Sequence, residues 1–264
     1  MTARFHRYFG IDYSGAKTPV ASVRGVRVYQ AERGAETAEP HEVAPPPGPG
    51  KHWTRRGLAE WLARELRDCP PALVGIDHGF SFPHAYFEKY GLAHDWPAFL
   101  DDFQRHWPTD DEDCWVRQVR DGIRGNGAAR SGDRTWKRLA EQRARSAKSV
   151  FWFDVNGEVA CATHAGLPWL RFLRGELGAR VHFWPFDGWS VPAGRSVIAE
   201  AYPRLWMRDF PECDRNLDQH AAYSVAAALR AADERGTLAQ LFAPELSAAE
   251  RRIAEIEGWI LGVR

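Results

Sequence analysis

The sequence predicts an α/β protein with a mixed β-sheet flanked by helices, and three stretches of chain carry that prediction. Two short apolar runs, residues 8–12 and 72–77, each end in an aspartate, as buried strands do where they leave a sheet. An alanine-rich stretch, residues 218–232, contains neither Gly nor Pro and predicts a long helix. Strands that alternate with helices along the chain are typical of an α/β fold.

Composition favours one globular domain over residues 1–264. Hydrophobic residues make up 44% of the chain, and its 35 basic residues balance 35 acidic ones, which excludes a disordered chain and a strongly cationic one. No apolar run approaches the roughly 20 residues that cross a bilayer. The first residues lack the apolar core of a signal peptide, so we expect a cytoplasmic protein without a membrane partner.

The first half of the chain continues from the opening strand into a hairpin. Residues 20–30 predict two short extended segments around Gly25, and Glu42-Val43 predicts a further edge segment. Thr54 is a suitable N-cap for a helix over residues 55–67, which ends before Pro70-Pro71. Residues 85–148 are polar and rich in Arg and Trp, and predict an insertion that covers one edge of the sheet.

The second half predicts shorter elements before the long helix. Strands are expected at residues 150–153, 181–184 and 196–203, with a short helix at 168–177. Ser247 is expected to cap a last helix over residues 248–260.

Asp12 and Asp77 are the leading candidates for chemistry. Sites in open α/β sheets form at the carboxyl ends of strands, where both residues are expected. Two carboxylates that face each other in a poorly solvated site repel, so one retains a proton or a cation bridges them. Hard divalent ions such as Mg²⁺ or Mn²⁺ suit oxygen ligands. The alternative is that each aspartate caps its own turn.

Three further residues are candidates to complete a catalytic group. Glu200 interrupts an apolar strand, and Asp218 and His220 lie at the start of the long helix. Asp218 is a candidate third metal ligand, and His220 a candidate proton shuttle. Each also has a structural interpretation: Glu200 facing solvent, Asp218 as a helix cap, and His220 on a helix surface.

Several short motifs, taken in order, resemble the DUF429 family of predicted nucleases. They are Gly10-Ile11-Asp12-Tyr13-Ser14-Gly15-Ala16, Gly75-Ile76-Asp77, Lys148-Ser149-Val150-Phe151, Trp184-Pro185-Phe186-Asp187-Gly188-Trp189, Glu200-Ala201-Tyr202-Pro203 and Asp218-Gln219-His220-Ala221-Ala222-Tyr223. The resemblance implies an RNase H-like fold, shared with RuvC-type resolvases. It implies a mixed five-stranded sheet, Asp12 on the first strand, Asp77 on the fourth, and an acid at the start of the last core helix.

One position departs from that family pattern. An Asp commonly precedes the Ala of the last core helix in such families, and Ala221 stands there in this chain. Either Asp218, about one helical turn earlier, supplies the carboxylate, or a ligand has been lost.

Nucleic acid is the expected partner, through a basic stretch at residues 120–148. Guanidinium groups fork onto phosphate oxygens, and Trp115 and Trp136 could stack on unpaired bases. The candidate substrate-binding residues are Ser14, Lys137, Arg138 and Lys148. The alternative for the basic stretch is a solvated surface balanced by the acidic residues 110–113 and Glu141.

Three functions remain open from the sequence. The first is a Mg²⁺- or Mn²⁺-dependent nuclease that uses Asp12, Asp77 and Asp218 as metal ligands. The second is a nucleotide-binding phosphotransferase of the actin and sugar-kinase kind, although no second Gly-rich phosphate loop is evident. The third is a non-catalytic binding module for nucleic acid or protein on a degenerate scaffold, which Ala221 would permit.

Overall fold

The protein is α/β, with helices on both faces of one mixed, six-stranded sheet. This computed structural model describes residues 5–34, 39–48, 50–144, 146–154 and 159–264. The strands are β1 (Arg7–Asp12), β2 (Arg27–Glu32), β3 (His41–Glu42), β4 (Ala72–Asp77), β5 (Val181–Trp184) and β6 (Ser196–Glu200). Their order in the sheet is β3-β2-β1-β4-β6-β5, and β2 alone runs against the other strands.

Nine α-helices lie within the described residues. They are α1 (Arg55–Asp68), α2 (His84–Tyr90), α3 (Trp96–His106), α4 (Val116–Arg120), α5 (Leu139–Arg143), α6 (Val159–Leu177), α7 (Leu217–Glu234), α8 (Leu238–Leu241) and α9 (Ala248–Glu257). None of the described helices is both long and apolar enough to span a membrane.

Side-chain alternation along the strands produces two cores. Residues such as Phe9, Ile11 and Ile76 are buried against one face, which α1 and α6 cover. Their neighbours Tyr8 and Leu73 face the other side, where the second core includes the buried face of α7. Asp12 continues the alternation of Tyr8 and Gly10, so it leaves the sheet on the α7 side.

Most predicted elements are present at their predicted positions. Strands β1, β4 and β5 match, with Asp12 and Asp77 as the last residues of the first and fourth strands. Thr54 caps α1 by accepting a hydrogen bond from the Gly57 N–H, and Ser247 caps α9 through the Glu250 N–H. Residues 85–148 form helices and loops between β4 and α6. That this segment is an insertion into the domain stays a prediction.

Several local predictions are wrong. The five-stranded sheet has a sixth, two-residue strand at its edge, and only β2 of the expected segments at 20–30 is a strand. Residues 150–153 do not form a strand: Val150 and Phe151 lie in a turn, and Phe151 packs among aromatic rings that include Phe82 and Tyr86. The short helix at 168–177 extends back to Val159. The basic residues Lys137, Arg138, Arg143, Arg145 and Lys148 also predict a helix, but only Leu139–Arg143 (α5) is helical in the described part of this segment, and Arg145 lies outside the described residues.

Candidate active site

A cavity of about 430 Å³ lies at the carboxyl ends of β1, β4 and β6. Its volume is within the range of small-ligand sites, and its other walls come from the beginning of α7, the first described turn of α6 and the loop after β6. The predicted site residues that line it are Asp12, Ser14, Asp77, Arg138, Lys148, Glu200 and Asp218. The structure therefore places seven of the nine candidates in one cavity.

Asp12 and Asp77 lie side by side at the floor of this cavity. They are register partners on the adjacent parallel strands β1 and β4. Adjacent strands in a sheet lie about 4.8 Å apart. Paired residues on adjacent strands point to the same face, so the two carboxylates face the α7 side together. Among the described residues, neither carboxylate accepts a hydrogen bond or forms an ion pair.

Both aspartates therefore sit where a negative charge is costly. Burial raises the pKa of Asp12 well above its usual value, and repulsion from Asp77 and Asp218 raises it further, with Arg27 acting weakly against both. Burial and then repulsion from Glu200 raise the pKa of Asp77 to about 7, while Arg204 lowers it. A bound cation would relieve this repulsion.

Two glycines explain how α7 approaches these aspartates so closely. Gly10 and Gly75 are register partners, each two residues before its aspartate and on the same face of the sheet. A Cβ at Gly10 would lie 2.0 Å from the Ala222 carbonyl oxygen, and one at Gly75 would lie 2.7 Å from Val225. The Gly-Ile-Asp motif thus combines a strand-terminal acid with the missing side chain that lets α7 pack on the strand.

The first turn of α7 brings Asp218 to the cavity. Asn216 caps the helix by accepting a hydrogen bond from Gln219, which frees Asp218 from the capping role. A Cβ added at Gly25 would lie 3.8 Å from Asp218 Oδ2 and 3.4 Å from Ser14 Oγ, so both side chains border the same wall. Ala221, one turn further along, also lines the cavity and contributes no ligand.

Glu200 also lines the cavity, but its carboxylate oxygens already accept hydrogen bonds from other residues. Its two carboxylate oxygens accept hydrogen bonds of 2.6 and 2.7 Å from Nη2 and Nη1 of Arg138. The Phe80 N–H donates a third, at 3.1 Å. Glu200 pairs with Ile76, one position short of Asp77 in the register. It therefore neutralises Arg138 at the cavity wall, whereas Asp12 and Asp77 have no ion-pair partner in the part of the chain that the structure describes.

The Arg138 guanidinium is likewise engaged in hydrogen bonds within the protein, which limits its ability to bind a substrate. Its Nε donates to Glu141 at 2.7 Å, and its Nη1 also donates to the Glu257 carbonyl at 3.2 Å. The guanidinium and both carboxylates are almost fully buried. Burial raises the pKa of Glu141 to about 7 in spite of Arg138, so even paired charges are costly in this interior.

Two candidates lie outside the cavity lining. His220 is buried on α7, and its Nε2 lies 2.9 Å from the Met207 carbonyl, so that ring nitrogen is engaged with the backbone. Lys137 donates from Nζ to the Ala147 carbonyl at 2.8 Å. Lys148 does line the cavity, as does Ser14.

The basic stretch is largely paired with acids. Five of its arginines form ion pairs: Arg120 with Asp121, Arg124 with Asp113, Arg130 with Asp102, Arg138 with Glu141 and Glu200, and Arg143 with Glu250. Trp136 packs edge-on against Phe151. These contacts favour a structural surface over a nucleic-acid interface for this stretch.

Sequence reasoning missed three residues that shape the cavity. Arg204, after β6, is the cation that lowers the pKa of Asp77. His78 follows Asp77 and contacts the Tyr13 ring at 4.6 Å, and burial lowers its pKa to about 4, so it is neutral at physiological pH. For Tyr13 and His78 the available sequence signal was position, since each directly follows a strand-terminal aspartate.

The donor set fits a magnesium-like ion held by few protein ligands. The described residues contain no cluster of three or more His, Cys, Asp or Glu side chains arranged to hold a metal. Mg²⁺ commonly keeps several waters and is bound through one or two carboxylates together with substrate phosphates. Asp12 and Asp77 supply such a pair, with Asp218 at the next wall.

Comparison with known proteins does not extend this description. The chain matches no family model, no curated protein and no solved structure.

Proposed function

We propose that the protein is a metal-dependent nuclease with an RNase H-like fold, related to the DUF429 family. The observation that carries the proposal is the pair of strand-terminal aspartates, half-buried side by side and without a hydrogen bond or an ion pair among the described residues. Such a pair costs stability unless it serves a ligand. The mixed sheet, with β2 alone reversed, supports the fold assignment.

In this proposal Asp12 and Asp77 hold Mg²⁺ or Mn²⁺, while Asp218 lines the same cavity from α7 without forming a three-ligand cluster with them among the described residues. The ion would activate water and polarise a phosphodiester. Arg204 and Lys148 line the cavity and supply positive charge for phosphate oxygens. Glu200 and Arg138 are assigned a positioning role, because their mutual hydrogen bonds hold the wall next to Asp77.

The test is cleavage of single-stranded and branched DNA and RNA with and without Mg²⁺ or Mn²⁺. We expect metal-dependent cleavage that Asp12→Asn lowers by at least about 100-fold, because the variant removes a ligand charge at nearly constant volume. Asp68→Asn, at an exposed position at the end of α1, is the matched control and should cleave normally.

Metal binding gives a second measurement that does not depend on turnover. Mn²⁺ should raise the thermal unfolding temperature of the wild type and of Asp68→Asn, and have little effect on Asp12→Asn. Cleavage by Asp12→Asn at the wild-type rate would refute the proposal.

A non-catalytic binding module is the second candidate. Two features favour the binding module: the described residues contain no three-ligand metal cluster, and position 221 is alanine. Binding of nucleic acid without cleavage, and without a shift in unfolding temperature by Mn²⁺, would favour this candidate over the nuclease.

A further inference from the structure

Three exposed basic residues form a surface beside the cavity mouth, away from the paired basic stretch. Lys17, Arg24 and Lys51, here called the loop cations, form no ion pair with an acid in the part of the chain that the structure describes. Lys17 donates only to the Ser22 carbonyl, at 3.3 Å. Unpaired cations on an otherwise neutral protein create a local positive field.

Two of the loop cations, Arg24 and Lys51, lie near His52, and Lys17 is linked to it through Ser22. Burial lowers the pKa of His52, and repulsion from Arg27, Lys51 and Arg24 lowers it further. The His52 backbone is fixed to the Lys17 loop, because its N–H donates to Ser22 Oγ at 2.9 Å and its carbonyl accepts from the same hydroxyl at 3.1 Å. Positive charge is therefore concentrated between these two loops.

A buried arginine holds the first loop in one conformation. Arg55, at the start of α1, is fully buried and donates to the carbonyls of Ser14, Ala16 and Lys17 at 3.3, 2.6 and 2.9 Å. Lys17 has a φ of 59°, a left-handed conformation that is uncommon outside glycine. This support means that the backbone of the Lys17 loop is preorganised, so binding through that loop orders little additional chain.

The loop cations adjoin the proposed catalytic cavity. Gly25, next to Arg24, lines the cavity, and so does Ser14 of the Arg55-bound loop. Arg27, two residues beyond Gly25, is near enough to lower the pKa of Asp12. Arg27 is itself engaged with Glu42, so it adds less to the free positive surface.

We propose that the loop cations bind the phosphodiester backbone of a nucleic acid strand, one of whose phosphates reaches Asp12 and Asp77. The assignment rests on the proposed nuclease function. The exposed cations favour a ligand with several negative charges. The aspartates, which in the proposed function hold a divalent ion, favour a phosphoester. A nucleic acid meets both requirements, whereas an acidic polypeptide meets only the first.

The experiment measures binding of a fluorescent single-stranded oligonucleotide in EDTA at several salt concentrations. The variant Lys17→Ala/Arg24→Ala/Lys51→Ala should reduce the slope of log Kobs against log salt by about 2, since each phosphate contact contributes about 0.7. The control is Arg64→Ala/Arg180→Ala/Arg235→Ala. These residues are exposed, and Arg180 and Arg235 lie where β5 begins and α7 ends, opposite the cavity. The control should keep the wild-type slope.

Three outcomes would overturn the proposal: no binding by the wild type, equal slopes for the two triple variants, or displacement of the oligonucleotide by polyglutamate of equal charge at equal concentration. Failure of the nuclease proposal is a separate result. Cleavage that survives Asp12→Asn removes the catalytic assignment, while the difference in salt slope in EDTA still tests the loop cations.

Discussion

Two groups of acids line one cavity, the buried Glu200 and Glu141 and the half-buried Asp12 and Asp77, and their electrostatic surroundings are opposite. Glu200 and Glu141 share Arg138, and hydrogen bonds occupy the Glu200 oxygens. Asp12 and Asp77 face each other without such a donor among the described residues. The comparison distinguishes a structural network from a ligand site, because a fold gains nothing from uncompensated buried charge.

Removing the shared cation is the largest expected perturbation of this comparison. Arg138→Met should lower the free energy of unfolding by about 3–5 kcal/mol, because it leaves Glu200 and Glu141 buried without a counter-charge. Urea denaturation at pH 8 measures the change. A loss below 1 kcal/mol would mean that this pair behaves like an exposed ion pair.

The spacing between α7 and the sheet is the second feature to test. Gly10→Ala should destabilise the protein by about 3 kcal/mol, because the added Cβ meets the α7 backbone, and it should also reduce activity by moving Asp218. Gly175→Ala, in α6 with open space around it, is the control and should stabilise by about 0.5–1 kcal/mol. Similar unfolding curves for the two variants would contradict the packing argument.

The third test removes the charge of Asp77, and the expected result is a gain in stability. The pKa of Asp77 is about 7 in the folded protein against 3.8 unfolded, so the folded state holds the extra proton between these values. Without metal, stability is therefore highest below about pH 4 on account of this group and falls as the pH rises to 7. Asp77→Asn should abolish that fall and stabilise the metal-free protein at pH 8 by about 1–2 kcal/mol.

The measurement for Asp77→Asn is thermal unfolding in EDTA at pH 5 and pH 8, with Asp68→Asn alongside. A variant that is less stable than the wild type at pH 8 would show that the Asp77 carboxylate is compensated in the folded protein. In that event the distinction between the two acid groups would no longer hold.

The strand-terminal aspartates could be predicted from the sequence because their signal is local. An apolar run that ends in an acid identifies both the strand and its exposed end, as at Asp12 and Asp77. Glu200 gave an equally local signal, a charge that interrupts a predicted apolar strand, but its role depended on Arg138. That partner lies 62 positions away in sequence, and no spacing rule connects them.

The errors in the fold have the same origin. Residues 150–153 are as apolar as a strand, yet their burial comes from aromatic neighbours in α2 and the β4–α2 loop. The helix predicted at 168–177 omits the first half of α6, although neither Gly166 nor Pro168 interrupts that helix. Gly166 is needed for packing, since a Cβ there would lie 2.5 Å from the His78 ring.

The glycine pair beneath α7 has a consequence for how this protein tolerates change. The packing distance between α7 and the sheet also sets how far Asp218 lies from Asp12 and Asp77, so the core of the domain and the geometry of its cavity are not independent. Enlarging Val225 or Leu229, which lie against Gly75, would push α7 outward and move Asp218 away from the strand-terminal aspartates. Evolutionary drift in that part of the core is thus constrained by function as well as by folding.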